Sequence, residues 1–538
     1  MRSTHRSGAE TPGSPSPLPH RTVWATALGV GALGNLVVQG TDAPGLGMVL
    51  FFVALAVAVG ITGRAARRTP FSPEALAWLL GGVLLSTAFL FRASGPLQFL
   101  AFVAAAGAFA FPALRAGAAW LRGSGMSDVI EAVAGAIGHA GLGAVRTAAR
   151  ALSAHTDASN GARVATAPTT LTAVVRGLLL GAPLLLVFGA LFVGADEVFE
   201  GIVAGLVGPA IEDWGPHLIL TAVLTWLAAG YLTGFLTGTR VRHTLVVILA
   251  GRIRRPSIGA VEAAIALGLV ALLFTAFVAV QFRYLFGGAG LVEVTPGLTY
   301  AEYAREGFGR LTLASALVLP TLLVTDWLLG SPGRGGRTVF LFLGGLQLIL
   351  LVLVIASAFQ RVIVYTQAYG FTESRLYGVV FLGWLTLLGF WFAASVLRGR
   401  RERFAAPALL SGVAVVVGLL FANPDAVIVR ANLSHAGIAL DAGAAGLPVG
   451  PGFDAAYLAS LSADAVPTLL GVLPRLPHDS RCIVARALLD RWESAAELDW
   501  RSWNVPRVRA HRRVRADAEA LRRLSAPASG CLTEEAIG

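Results

Sequence analysis

The stretch Thr338-Val-Phe-Leu-Phe-Leu-Gly-Gly-Leu-Gln-Leu-Ile-Leu-Leu-Val-Leu-Val-Ile-Ala-Ser-Ala-Phe-Gln360 decides the fold class, because its 23 residues carry no charge. At about 1.5 Å per residue, a helix of this length covers roughly 35 Å, enough to cross a hydrocarbon core of ~30 Å. Lipid offers nothing to an unpaired backbone N–H or C=O, so the segment must be helical. Ten further apolar segments share this character: 22–39, 45–63, 74–91, 95–114, 174–195, 216–238, 259–283, 310–330, 376–398 and 405–422. The expected fold is an all-α polytopic transmembrane bundle of about eleven spans, with ten to twelve as the range of the count.

Composition agrees. Hydrophobic residues make up 55% of the 538-residue chain and charged residues 14%, with a mean hydropathy of +0.70. Soluble domains carry about 25% charge, so a soluble enzyme, a disordered chain and a fibrous repeat are excluded. All 42 basic residues are arginine. Without lysine there is no P-loop lysine for a phosphate and no Schiff-base lysine for a pyridoxal group. No CxxC, HExxH or GxSxG occurs, so no catalytic, cofactor-binding or metal-ligating residue is assigned. Gly29-Val-Gly31-Ala-Leu-Gly34 spells GxGxxG, but inside an apolar segment with no preceding strand. It reads as helix-packing glycine, as do Gly177 with Gly181 and Gly230, Gly234 and Gly238 at four-residue spacing.

Arginine asymmetry orients the spans. With the N-terminus in the cytoplasm, 23 arginines of residues 1–422 fall on inner segments and 6 on outer loops, a positive-inside pattern. The net charge of +11 lies wholly in these residues, which hold 29 Arg against 18 acids; the last 116 residues hold 13 of each. Such an excess reads as topology and anionic-lipid contact, with the lipid bilayer as partner and no nucleic acid. The expected location is the plasma membrane, with the C-terminus extracytoplasmic.

Three regions follow. Residues 1–21, rich in Ser, Pro and Thr, are expected as a disordered cytoplasmic tail with no cleavage site. Residues 22–422 form the transmembrane domain. Within it, an insert near 121–170 places Val129, Ile130, Val133, Ile137 and Val145 at roughly helical spacing, which suggests an amphipathic helix on the cytoplasmic surface. Residues 423–538 form a small extracytoplasmic helical domain, with helix-like runs near 454–473, 480–497 and 505–524. Its Cys482 and Cys531 are the only cysteines, and an oxidising compartment would let them pair.

Four polar stretches interrupt the apolar pattern: Gly194-Ala-Asp196-Glu197-Val-Phe-Glu200, Gln281-Phe-Arg283-Tyr284-Leu-Phe-Gly-Gly288, Thr299-Tyr-Ala-Glu302-Tyr303-Ala-Arg305-Glu306-Gly-Phe308, and Tyr365 through Tyr377. Their order and spacing resemble an uncharacterised family of bacterial multi-pass membrane proteins, a domain of unknown function of the 4173 type related to the 4153 type. The resemblance continues in Asn423-Pro-Asp425, in Leu461-Ser-Ala-Asp464 and in Trp503-Asn504-Val-Pro-Arg507. It runs from about residue 174 to 510. It implies no activity, cofactor or catalytic residue.

All four stretches fall on the outer side of this topology. They define a candidate outward polar site of Asp196, Glu197, Gln281, Arg283, Glu302, Tyr303, Arg305, Glu306, Tyr365, Tyr369, Glu373 and Arg375. Tyr303, Arg305 and Glu306 are expected on a loop, and Tyr365, Tyr369 and Glu373 on one helical face. A cross-segment Arg–Glu contact between 281–308 and 361–377 is the geometric expectation, because an unpaired charge at this depth is expensive. Glu262 and Asp326, near span ends, are expected to pair with nearby arginine. The best reading of function is a non-enzymatic envelope protein, transporter-like or a signalling scaffold, with an outward-facing polar site. The alternative is a membrane enzyme acting on lipid or glycan at the outer face, using such acids as base or metal ligands.

Overall fold

The computed structural model describes residues 19–41, 43–66, 73–113, 209–237, 259–286, 300–329, 333–437, 454–494 and 499–526, with scattered residues between 126 and 144. Among the described residues there are helices and no strands. Among the described residues nine helices are long and apolar enough to cross a membrane, and the apolar helix at 95–111 adds a shorter tenth. These match ten of the eleven expected segments; 174–195, with Gly177 and Gly181, lies outside the described residues.

Two bundles form. The first contains α1 (His20–Val38), α2 (Leu46–Ala65), α3 (Pro73–Ser86), its one-turn continuation α4 (Ala88–Phe91), α5 (Gly95–Ala113) and α6 (Pro209–Thr237). Its core includes Val30, Phe52, Leu79, Phe109, Leu232 and Leu236. Gly31 and Gly34 of the GxGxxG stretch hold it together, while Gly29 faces open space among the described residues: a Cβ on Gly31 would lie 2.7 Å from the Thr225 nitrogen and 2.8 Å from the Thr221 oxygen of α6. Only a residue without Cβ permits that backbone approach. On the other side of α6, a Cβ on Gly234 would lie 2.7 Å from the His139 Cβ, and Trp226 Nε1 donates to Gly141 O at 2.8 Å. These contacts come from the few described residues between 126 and 144; Gly238 lies outside the described residues.

The second bundle contains α7 (Ala260–Phe286), α8 (Tyr300–Leu329), α9 (Arg334–Tyr369) and α10 (Glu373–Ser395), around Leu267, Leu322, Phe340, Leu351, Leu382 and Phe392. The last span, α11 (Ala405–Ala422), bridges the two: Val416 packs with Ala88 and Ala101, and Ser411 Oγ accepts from Trp384 Nε1 at 3.0 Å.

Helix ends correct two local expectations. α8 begins at Tyr300, so residues 302–306 occupy its first turns and not a loop. α9 ends at Tyr369, and Gly370 (φ 73°) breaks the chain before α10. Tyr365 and Glu373 therefore lie on different helices, since the left-handed backbone at Gly370 cannot continue a helix.

The C-terminal domain follows at once as α12 (Pro424–His435), α13 (Ala455–Ser460), α14 (Val466–Val472), α15 (His478–Trp492), α16 (Val505–Ala516) and α17 (Ala518–Ser525). Two expected helical runs are each split. The first divides at Ser462–Ala465 and the last at Asp517. The domain has its own apolar core, including Ile428, Leu433, Leu458, Leu469, Leu488, Val514 and Leu521. α1 starts at His20, inside the segment expected as tail.

Candidate functional site

The C-terminal domain sits on one end of the bundle and caps helices it did not build. The last carbonyls of a helix have no intrahelical donor. Arg501 supplies two for α1, donating to Leu36 O at 2.9 Å and Gln39 O at 2.8 Å. Asn504, fully buried, donates to Phe89 O of α4 at 2.6 Å and Arg92 O at 2.8 Å. It also caps α16 by accepting from Arg507 N at 3.3 Å. Next to it, Leu46 N donates to Trp503 O at 3.0 Å. A Cβ on Gly45 would lie 2.6 Å from that Trp503 oxygen, so the approach requires glycine there.

At the centre stands Asp464. Its Oδ2 accepts from Ala93 N at 2.5 Å and Ser94 N at 3.2 Å, and its Oδ1 pairs with Arg92 at 3.3 Å. Arg92 in turn donates through Nε to Leu420 O at the end of α11, at 2.6 Å. The loop 92–94 is thus held by a carboxylate 371 residues further along the chain. Charge-assisted bonds of this kind are about twice as strong as neutral ones.

Two more acids join the seam. Asp425, fully buried, accepts from Ser462 N at 3.1 Å and Ser462 Oγ at 2.5 Å through Oδ2. Its Oδ1 has no hydrogen-bond partner. Burial pushes its carboxyl up to about 6, with the charges of Glu373 and Asp464 adding to the shift and the Ser462 bonds opposing it. Glu373 accepts from Ser94 Oγ at 3.4 Å, and Ser94 Oγ lies 3.2 Å from Tyr377 OH. The Glu373 amide donates to Tyr457 OH at 2.8 Å, and burial pushes the Tyr457 phenol up to about 12. Asn432 clamps the α9–α10 turn at two points: its Oδ1 accepts from Phe371 N at 2.6 Å, and its Nδ2 donates to Phe371 O at 2.8 Å.

Of the twelve candidate residues, three are described with their side chains. Glu373 belongs to this seam. Arg375 lies beside it, close enough for its charge to act on the Tyr457 phenol, with its guanidinium over the Tyr365 ring at 4.0 Å and donating to Gly370 O. Gln281 and Arg283 lie in the last turns of α7, Glu302, Tyr303, Arg305 and Glu306 in the first turns of α8, and Tyr369 ends α9. Their side chains, and so the expected Arg–Glu contact, lie outside the described residues, as do Asp196, Glu197 and Cys531. Cys482 is buried on α15, its Sγ 3.6 Å from Leu524 O. Among the described residues, no three His, Cys, Asp or Glu side chains converge to hold a metal ion.

Asp425, Asp464 and Asn504 were not among the twelve. The available signal was a polar residue inside a short apolar run, as in Leu458-Ala-Ser-Leu-Ser-Ala-Asp464-Ala-Val466, or an Asn placed before a helix-starting proline.

The opposite end carries a second ion group. Asp326, near the end of α8, pairs with Arg337 at 3.2 Å and Arg401 at 3.7 Å, as expected for that residue. Arg337 also donates to Val396 O at 2.8 Å and Leu397 O at 3.1 Å.

Together these features define an integral membrane protein: an all-α bundle with a docked C-terminal helical domain. The chain belongs to the family described as Domain of unknown function (DUF4153), whose model matches residues 79–471. No curated protein matches the chain, and no solved structure does.

Proposed function

We propose that this is a non-enzymatic envelope protein, a scaffold or signalling element, whose C-terminal domain stands on the extracytoplasmic side and fixes the relative positions of the spans. The observation that carries this reading is the seam at Asp464. The domain caps α1 and α4 directly and, through the Asp464–Arg92 pair, holds the arginine that caps α11, so a displacement of the domain is felt at three helix ends at once. Arginine distribution supports the orientation. Arg64, Arg334, Arg337, Arg398, Arg400, Arg401 and Arg403 lie at the end away from the domain, and Arg92 and Arg375 at the domain end. On that side Cys482 and Cys531 would pair. The plasma membrane location and the closer kinship with the 4173 type are part of the same proposal, the latter resting on the polar stretches quoted above.

The enzyme reading has one observation in its favour, the buried Asp425 with its raised carboxyl and free Oδ1, which are the attributes of a proton-transfer group. Complementation separates the two. In a deletion strain of the source organism, Asp464→Ala should fail to restore the wild-type phenotype, because docking is lost. Asp425→Asn should restore it, because shape is kept and only proton chemistry is removed. Failure of Asp425→Asn with normal membrane levels would favour the enzyme. A reporter fused after residue 538 should be active outside the cytoplasm.

A further inference from the structure

The two bundles do not close against each other between α3–α4 and α11. A groove of about 1460 Å³ runs between them, from Glu74 and Arg403 at one end to Arg92 and Arg509 at the other. From Glu74 to Arg92 the rise of about 1.5 Å per residue gives roughly 27 Å, close to the hydrocarbon thickness of ~30 Å. Its walls are apolar and open to the side. Leu84 is 70% exposed, Leu410 58% and Phe421 83%, and a Cβ on Gly81 would meet nothing within 4 Å.

The domain end of the groove is cationic. Asp464 lines it, but its carboxylate is 2% exposed and already engaged by Arg92 and two loop amides. The Arg92 side chain is 21% exposed. Arg509, on α16, is exposed and makes no hydrogen bond or ion pair among the described residues. The Arg509 guanidinium and the remaining Nη2 of Arg92, whose Nε and Nη1 serve Leu420 O, Phe91 O and Asp464, therefore stand at headgroup depth above an apolar channel of acyl-chain length. Guanidinium binds phosphate oxygens in pairs.

We propose that this groove binds an anionic phospholipid of the bilayer, its phosphate at Arg509 and Arg92 and an acyl chain between α3 and α11. A transmembrane segment would fill the apolar walls but would leave Arg509 unanswered, which is why lipid is the better occupant.

The test is native mass spectrometry of the detergent-solubilised full chain titrated with dioleoylphosphatidylglycerol or dioleoylphosphatidylcholine. Phosphatidylglycerol should be retained at least about five-fold better. Arg509→Glu, a substitution at an exposed position, should remove that preference, lowering phosphatidylglycerol retention more than phosphatidylcholine retention. Gly81→Trp, which fills the groove, should lower retention of both lipids; size-exclusion behaviour and the melting midpoint check that it folds, and Leu410→Trp replaces it if it does not. Equal retention of both lipids, or a preference untouched by Arg509→Glu, overturns the proposal. So does a dimer mass that Gly81→Trp abolishes, which would assign the groove to a second copy of the chain.

Discussion

Asp464 and Asp326 do the same chemistry at opposite ends of the bundle, and the difference between them shows what the domain adds. Asp326 works locally. Its partners come from the start of the next helix and the turn before α11, and Arg401 is half exposed. Asp464 works at long range, holding a loop from the first bundle through two amides and an arginine that itself caps α11. The first ties neighbouring helix ends together. The second makes a domain and a bundle into one unit.

The sharpest way to break that comparison is to remove each carboxylate. Asp464→Ala strands Arg92 and two loop amides in a buried seam and should cost about 3–5 kcal/mol of stability. Hydrogen exchange should show the amides of Ala93 and Ser94 losing protection; unchanged protection would refute the docking role. Asp425→Asn acts with the opposite sign. The folded state holds the Asp425 proton more tightly than the unfolded chain does. Stability is therefore highest below the ordinary carboxyl value of 3.8, falls as pH rises toward about 6, and stays low above it. The difference is about 3 kcal/mol at most. The variant should be more stable than the wild type at pH 7 and should lose this slope. Melting midpoints between pH 4 and 7 measure it, and a wild type without a slope would count against the buried charge. Asn504→Ala leaves the Phe89 carbonyl without its donor, while Arg92 O keeps Gln98 Nε2 at 2.7 Å, and should cost about 2 kcal/mol, read as a lower midpoint. The smallest effect belongs to Asp326→Ala, about 1 kcal/mol, because Arg337 keeps its two carbonyl acceptors. An Asp326 loss as large as that of Asp464 would erase the distinction.

The spans were legible because twenty apolar residues in a row admit one structure in lipid. Their ends were less so. α8 starts ten residues before its apolar segment, since residues 300–309 are polar yet helical, and hydropathy cannot see a helix that has left the hydrocarbon. The seam was legible only in part. Glu373 stood out beside an apolar span, whereas Asp425 and Asp464 lie in a domain where an aspartate is ordinary. Their burial comes from the docking of segments hundreds of residues apart, and no local pattern records that. Gly31 and Gly34 were read correctly as packing residues because their setting was a helix, whereas Gly29 packs against nothing among the described residues; their partner, α6, could not be named from spacing.

The arginine that clasps α1 lies 462–465 residues downstream of the carbonyls it binds. The end of α1 is therefore finished only by residues far downstream of it. Contacts of such separation form late, after loop closure has been paid for in entropy. Until residues 501–504 have docked, the carbonyls at Leu36 and Phe89 lack the donors that cap them. Chains whose C-terminal helical domain has not docked would display those ends together with the apolar groove. A membrane protease that samples frayed helix ends would then distinguish docked molecules from undocked ones.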